Sequence, residues 1–338
     1  MTTDRRLAKP PTMRQVAQHA GVDVSVVSRL LSGDPRLSVS EATKQRVLAA
    51  VRLLDYRPNL AARALRTSRG GMAAFVVPEF TSPVYSRVIA GAHRRATEEG
   101  YSIVVGEVTE DLGRLAQDYR VRGVDGMLLA GATLSDEAVR ALGDAAVPVV
   151  VVNRLVPGTR RTAVVDYTGA TELAADHLRD LGHRDVVVVA GPRHLDTTRD
   201  RVQAFTRRAT ANGARVRQVT ARDLSGDAGL AAGQRLLSRN RDATAVFAPT
   251  LMLAVGVLAA AHRAGVSVPD ELSIIALHDA ELAKFTWPPL TTVSLPMTEL
   301  GAAAVDHLLA VLSGADPEPS IVTTPPELVV RGSTGPPR

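Results

Sequence analysis

The residues whose types and spacing could do chemistry begin in a short helical stretch near the N-terminus. Val24, Ser25, Ser28 and Arg29 fall on one face of a predicted helix, away from its apolar side. They offer a methyl surface, two hydroxyls and a guanidinium group. Such groups suit the edges of base pairs, because valine can contact a thymine methyl and arginine can donate to guanine. This face therefore indicates recognition of a nucleic acid.

Two predicted helices with a sharp turn between them must hold that face in place. Apolar residues at helical spacing flank the break at residues 20–22; they are Val16, Ala17 and Ala20 before it and Val26, Val27, Leu30 and Leu31 after it. Gly21 can adopt the left-handed conformation that the turn needs, and Asp23 can cap the second helix. Ser40 can cap a third. This pattern predicts a helix-turn-helix, which places its second helix in the major groove.

The next segment predicts a helix that depends on a partner. Pro58 ends the third helix, Asn59 can cap a new one, and the residues up to Arg66 favour a helix of about two turns. A helix this short is unstable alone. Leu65 could be a core leucine of a fourth helix, but the segment is too short to have its own core. Leucine is also among the apolar side chains that kink a DNA minor groove.

These segments resemble the LacI/GalR family of bacterial transcription regulators. The resemblance rests on the order and spacing of TMRQVAQHAGV, VVSRLL, VSEATKQRV and YRPNLAARALR. It implies base contacts by Val24, Ser25 and Arg29, and a minor-groove wedge at Leu65 beside Ala62. The backbone contacts that it implies, with Arg66 added as a phosphate contact, are at Thr12, Asp23, Val26, Ser28, Ser40, Thr43, Tyr56, Asn59 and Arg66.

Two of these positions depart from the family pattern. The family usually has Ser-x-x-Thr where this chain has Asp23, Val24, Ser25 and Val26. Asp23 can still cap the helix, but its charge is unfavourable beside a phosphate. Val26 cannot donate a hydrogen bond. At these two positions the chain therefore lacks the hydroxyl groups of the family pattern.

The distribution of charge supports a nucleic-acid partner. Residues 1–70 contain 13 Lys and Arg and 5 Asp and Glu, so they carry +8, whereas the whole chain carries +5. The chain has no cysteine, which excludes disulfides and thiolate metal sites, and we expect no metal or cofactor. It shows no signal peptide and no apolar run long enough to span a membrane. We therefore expect a cytoplasmic, nucleoid-associated protein.

After a join at residues 67–71, apolar runs alternate with amphipathic helices. Four runs, at residues 73–80, 101–108, 126–131 and 147–153, predict strands buried on both faces. Alternation with helices predicts parallel sheets. A second set of strands and helices follows, which implies two α/β lobes. The predicted fold class is α + α/β: a helix-turn-helix headpiece and hinge helix, then a two-lobed sensor domain with doubly wound parallel sheets, resembling periplasmic binding proteins.

The predicted domain boundaries combine these patterns with the family's chain crossovers between lobes. They are 1–10 for a flexible tail, 11–57 for the helix-turn-helix domain, 58–71 for the hinge helix and linker, and 72–338 for effector binding and dimerisation. Within the last, lobe 1 covers about 72–163 and 292–322, and lobe 2 about 164–291 and 323–333.

Sequence motifs for catalysis are absent. We find no GxxxxGK[ST] loop, no GxSxG elbow and no HExxH pair. His177 and His183 at a helix end fit structural histidines, and His278 with Asp279 lies at a strand end where this fold binds ligands. We therefore expect no enzyme. The main alternative, a solute-binding protein with the same lobes, would need a signal peptide and no basic headpiece.

The expected effector is a sugar, a sugar phosphate or another anionic metabolite. Family members that bind sugars commonly carry an arginine, matched by Arg201, and two acidic sites that are here Thr250 and His278. Thr250 and His278 offer fewer hydrogen-bond acceptors than carboxylates would, so Arg201 lacks an acidic partner at these two positions. An anionic ligand is then favoured, because an unpaired buried guanidinium is costly. If Asp279, Asp196 or Glu79 pairs with Arg201, a neutral ligand or none is expected. The predicted ligand-binding residues are Phe80, Tyr85, Asn153, Thr197, Arg201, Thr250, His278 and Trp287.

The expected partners are operator DNA, the effector and a second copy of the chain. A single headpiece contacts few bases, so a homodimer on a two-fold symmetric operator is expected. The sequence ends at STGPPR without a heptad tail, which makes a tetramer the less favoured alternative. The resemblance favours repression, the commoner mode in the family. Whether the ligand releases or promotes DNA binding stays open.

Overall fold

The computed structural model describes residues 11–31, 37–56, 70–80, 82–130, 134–192, 195–239 and 242–338, without the side chains of residues 144, 196 and 197. The chain divides into two compact units, Met1–Gly70 and Gly71–Arg338. The predicted tail and most of the hinge, including Asn59, Ala62, Leu65 and Arg66, lie outside the described residues.

The first unit contains the three predicted short helices. They are α1 (Met13–Ala20), α2 (Val24–Leu31) and α3 (Glu41–Leu53). Gly21 has a φ of 64° and ends α1, as the turn requires. Asp23 accepts a hydrogen bond from the Ser25 N–H at 2.8 Å, and Ser40 accepts one from the Thr43 N–H at 3.2 Å. Both predicted caps are therefore confirmed.

Lobe 1 of the second unit contains a six-stranded sheet. Its strand order is β11-β5-β4-β3-β1-β2, and all its strand pairs are parallel. The strands are β1 (Met72–Val77), β2 (Ser102–Glu107), β3 (Gly126–Ala130), β4 (Val149–Val152), β5 (Thr162–Val165) and β11 (Ser320–Val322). The helices are α4 (Pro83–Glu98), α5 (Leu112–Val121), α6 (Asp136–Arg140), a 3₁₀ turn (Ala141–Asp144) and α12 (Met297–Leu312).

Lobe 2 repeats this architecture with the strand order β12-β10-β9-β8-β6-β7, in which only β12 is antiparallel to its neighbour. The strands are β6 (Asp185–Ala190), β7 (Arg215–Thr220), β8 (Ala245–Ala248), β9 (Ser273–Leu277), β10 (Thr291–Ser294) and β12 (Glu327–Val329). The helices are α7 (Tyr167–Asp180), α8 (Asp196–Ala211), α9 (Gly226–Arg239), α10 (Leu251–Arg263) and α11 (Glu281–Lys284).

The chain crosses between the lobes three times, after β5, after β10 and between β11 and β12. These crossovers agree with the family pattern. The predicted boundaries are a few residues too early, however, because position 163 lies inside β5 and position 292 lies inside β10. Hydrogen bonding to neighbouring strands decides these boundaries, and apolar composition alone does not reveal it.

Two further expectations differ from the structure. The strand predicted at 101–108 is not buried on both faces, because β2 is the edge strand and Val104 and Val105 are 39% and 38% exposed. The helical periodicity of residues 135–146 predicts one helix, but the structure has α6 followed by the 3₁₀ turn there. Periodicity identifies apolar segments but does not show which strand has only one neighbour.

Glycines bring two helix pairs unusually close together. A Cβ added at Gly301 of α12 would lie 1.9 Å from the carbonyl oxygen of Val88 in α4, and one added at Gly91 would lie 1.9 Å from that of Thr298. Helices α9 and α10 show the same feature, since a Cβ at Gly256 would lie 2.2 Å from the Gly226 oxygen. Backbone packs directly on backbone at these contacts.

Candidate functional site

The recognition face of the first unit is open. Val24 is 36% exposed, Ser25 and Arg29 are exposed, and Ser28 is half-buried. Val27, on the opposite side of α2, is fully buried against α1 and α3 with Val16 and Val47. Because the small core fixes the inner side of α2, its outer side is available to a groove of DNA.

The described residues predicted to contact the DNA backbone differ in exposure. Thr12, Asp23 and Ser40 are exposed, and Thr43 is half-buried. Thr12 also forms a capping box with Gln15, which sequence reasoning missed although Thr-x-x-Gln is its usual pattern. Tyr56 differs most, because it is only 7% exposed and belongs to the core of the headpiece.

Replacing Asp23 with asparagine is expected to strengthen binding to all DNA sequences. Hydrogen bonds from Ser25 lower the pKa of Asp23, so the carboxylate is charged at neutral pH. Asparagine keeps the oxygen that caps α2 and removes the charge. Because like charges repel and salt screens this repulsion, affinity should rise about fivefold at low salt and less at high salt, as measured by fluorescence anisotropy.

The control for this prediction is Asp23→Ala, which removes the charge and the cap together. It should lower the helical circular dichroism signal of the headpiece, whereas Asp23→Asn should not. An Asp23→Asn protein with unchanged affinity and an unchanged salt dependence would show that Asp23 faces away from the phosphates.

A cleft of about 440 Å³ lies between the two lobes of the second unit. Lobe 1 contributes Glu79, Tyr85 and Asn153 to its wall. Lobe 2 contributes polar groups from α8, from the residue that caps α10 and from the loops after β7 and β9. They are Arg201, Arg222, Asp223, Ser225, Thr250 and His278. The volume and mixed lining are those of a small-molecule site.

Five of the eight predicted ligand residues line this cleft; they are Tyr85, Asn153, Arg201, Thr250 and His278. The side chain of Thr197 lies outside the described residues. Phe80 and Trp287 were predicted wrongly, because neither lines the cleft and they are 59% and 87% exposed. Trp287 lies in the loop that follows α11, and its side chain extends to the surface of lobe 2.

Arg201 on α8 is the central charge of the cleft wall and is only 5% exposed. Its Nη1 donates to the carbonyl oxygen of Pro249 and to Nε2 of His278, each at 3.3 Å. The guanidinium carbon lies 3.6 Å from the centre of the Tyr167 ring, a cation–π contact. One face of the guanidinium is therefore covered by the aromatic ring.

His278 is buried and neutral. It follows β9 with a φ of 70° and is 3% exposed. Burial, and then the charge of Arg201, lowers the pKa of His278 well below its ordinary value. Because a guanidinium can only donate, Nε2 of His278 must accept, and the proton of the neutral ring is on Nδ1.

Tyr167 joins the two lobes at this wall, and sequence reasoning missed it. Its hydroxyl donates to Oδ1 of Asn153, in lobe 1, at 2.8 Å, and its ring meets the His278 ring edge-on. Burial raises its pKa, so it stays protonated. The available signal was Asp166, which accepts from the Gly169 N–H and caps α7, so that the helix begins at Tyr167.

The carboxylates that could have neutralised Arg201 have other positions or partners. Asp279 forms a partly buried ion pair with Arg331 at 2.7 Å and accepts from the Thr292 hydroxyl at 2.7 Å. Glu79 is exposed. In the part of the chain that the structure describes, Arg201 has no ion pair; the Asp196 side chain is outside that part.

His177 and His183 of lobe 2 have contacts that agree with the structural interpretation. His177 Nε2 lies 2.9 Å from the Thr334 hydroxyl, and His183 Nε2 donates to the Gly335 carbonyl at 2.9 Å. Burial lowers the pKa of both. Within the described ranges, no three metal-binding side chains form a cluster, and no helix is long and apolar enough to span a membrane.

Two protein-family models match the chain. Residues 12–59 match bacterial regulatory proteins of the lacI family, and residues 175–334 match a periplasmic binding protein-like domain. The regulator DegA of Bacillus subtilis is 32% identical, with 96% of this chain and 98% of DegA covered. The repressor CytR of Escherichia coli is 30% identical, with 96% of each covered.

Solved structures show the same likeness. The lac repressor dimer bound to operator and the anti-inducer ONPF superposes with a TM-score of 0.79 at 26% identity, covering 97% of this chain and 100% of that one. The regulator CelR in complex with cellobiose gives 0.70 at 29% identity, covering 96% and 99%.

Proposed function

This chain belongs to the lacI family of bacterial regulatory proteins and is a DNA-binding transcriptional regulator, and from that premise we propose that it represses genes as a homodimer on a palindromic operator and responds to a small-molecule effector. The observation that carries the proposal is the combination, in one chain, of a helix-turn-helix with an open recognition face and a two-lobed unit with a polar cleft.

The DNA side of the proposal rests on α2 and the hinge. Val24, Ser25 and Arg29 read base edges in the major groove, where arginine selects guanine and valine selects thymine. Leu65, supported by Ala62, kinks the centre of the operator from the minor groove. Because the operator is chromosomal DNA, the protein acts at the nucleoid.

The dimer rests on exposed apolar side chains in both lobes. Lobe 1 exposes Val104 and Val105 on its edge strand β2, and lobe 2 exposes Leu282, Phe285 and Trp287 around α11, at 40%, 77% and 87%. Clustered exposed aromatics favour contact with another protein surface. A two-fold dimer places the same patch of each chain against its partner and explains why Trp287 is outside the cleft.

The effector binds in the cleft between the lobes. CelR, a similar structure, is known in complex with cellobiose, which supports a carbohydrate-like ligand for this chain. The proposed class is a sugar, a sugar phosphate or another anionic metabolite. Because Tyr167 of lobe 2 donates to Asn153 of lobe 1 beside Arg201, a ligand at Arg201 can change the fit between the lobes.

Operator selection from a random DNA library tests the proposal, with footprinting of the tightest sequences. A symmetric site with two half-sites on one face of the duplex is expected. Leu65→Ala should lower the affinity for this site by at least about tenfold and reduce its bend, but change binding to random DNA little, because only a kinkable central step repays the wedge.

The matched control for the wedge is Arg66→Ala. As a phosphate contact it should weaken binding to every sequence and reduce the salt slope by about one. An asymmetric half-site as the tightest sequence would contradict the dimer. A Leu65→Ala protein with full operator affinity and an unchanged bend would contradict the wedge.

A further inference from the structure

Two buried N–H groups in the cleft wall have no acceptor among the described residues: Nε of Arg201 and Nδ1 of His278. Both belong to side chains that line the cleft. Buried donors are normally paired, and an unpaired one is unfavourable. Both atoms require an acceptor, and neither can accept a hydrogen bond itself.

The geometry around Arg201 also defines the direction of approach. Tyr167 covers one face of the guanidinium, and Nη1 is engaged by Pro249 and His278. The Nε edge is left with an unpaired donor. This edge belongs to the planar fork that carboxylates and phosphates bind in bidentate geometry.

The charges around this edge favour an anion. Asp279 is paired with Arg331, and Asp223 accepts from Ser225 and from Arg222. Arg201 thus has no described carboxylate partner, while His278 adds a donor without adding a charge. A neutral sugar hydroxyl could accept from these donors, but it would leave the buried positive charge uncompensated.

Resting on the proposed function, we propose that the effector is a hydroxylated carbon chain with one anionic group, a sugar acid or a sugar phosphate. Its carboxylate or phosphate binds to Arg201 Nε, and an acceptor oxygen of the same ligand binds to His278 Nδ1. Its hydroxyls face the rest of the cleft, where the oxygens of Asp223, Ser225 and Thr250 are available. The cleft of about 440 Å³ has room for both parts.

The test uses matched ligands that differ only at one carbon. The full-length protein is titrated calorimetrically with hexoses, the corresponding uronates and hexose 6-phosphates of gluco, galacto and manno configuration, and with inorganic phosphate. We expect an anionic member of at least one series to bind at least tenfold more tightly than its neutral hexose. Comparing the uronates with the hexose 6-phosphates shows whether the anionic group is a carboxylate or a phosphate.

Substitutions test which residues bind the anionic group of the ligand. His278→Asp places a carboxylate beside Arg201 and should lower anion affinity at least 100-fold without lowering that of the neutral hexose. Arg201→Ala should abolish anion binding, and Arg201→Lys, which keeps the charge but loses the fork, should weaken it at least tenfold. The control is Arg207→Ala on the exposed side of the same helix, which should change nothing. Unliganded operator binding verifies that each variant folds.

Three results would overturn the inference. They are a neutral hexose that binds as tightly as its anionic forms, no binding by any member of the panel, or anion binding that survives Arg201→Ala. The proposed function is judged separately, by release of a fluorescent operator: if a neutral metabolite controls it, the function stands and only the ligand class is wrong.

Discussion

The Gly301→Ala protein is expected to melt about 6–10 °C below the wild type at equal protein concentration, because the added methyl group has no space. Its Cβ would lie 1.9 Å from the Val88 oxygen and 2.7 Å from the Ala92 nitrogen, both backbone atoms of α4. The two helices must separate, and α4 and α12 then lose contact along buried faces. Overpacking of this kind costs about 3 kcal/mol at its upper end.

The matched control is Gly113→Ala, near the start of α5. Gly113 is exposed, and its added Cβ would meet only Asp111 Oδ1 at 3.5 Å, an ordinary contact. Alanine favours the helix more than glycine, so this variant should be at least as stable as the wild type. Differential scanning calorimetry compares the three proteins. Equal melting temperatures for Gly301→Ala and the wild type would mean that α4 and α12 are not in close contact in solution.

The double variant Phe285→Asp, Trp287→Asp is expected to be monomeric and to bind its operator about 10³-fold more weakly, approaching non-specific affinity. Two charges on each chain would face the same charges on the partner across the two-fold axis. Analytical ultracentrifugation gives the oligomeric state and fluorescence anisotropy the operator affinity. Because both residues are exposed, the fold of the single chain should be unaffected, which circular dichroism verifies.

Ile321→Asp is the control for this experiment. Ile321 is 61% exposed on β11, the edge of the lobe 1 sheet opposite β2, so the same change from an apolar to a charged side chain is made away from the proposed interface. It should leave the dimer and its operator affinity unchanged. A dimer that survives both aspartates around α11 would exclude this patch from the interface.

In wild-type protein the same tryptophan is expected to report on assembly of the proposed dimer. Trp287 is the single tryptophan of the chain and is 87% exposed in one protomer, so its emission should shift to longer wavelength when the dimer dissociates on dilution.

The sequence by itself determined the features that depend on neighbouring residues. Gly21 at the turn, the caps at Asp23 and Ser40, and the alternation of apolar strands with helices are each encoded within a few residues, since hydrogen bonds within one turn and the period of an element are local. The position of Arg201 in the cleft followed from family resemblance, which carries a known fold onto the chain.

Only the tertiary structure decided which distant residues meet. Asp279 could have neutralised Arg201, but strand pairing brings β12 beside β10 and thereby Arg331 to Asp279. The crossover after β5 brings Tyr167 onto Arg201, and the loop after α11 directs Trp287 outward. These outcomes depend on sheet order and register, which bring together segments that are far apart in the chain. Local spacing in the sequence does not encode which acidic residue pairs with which arginine.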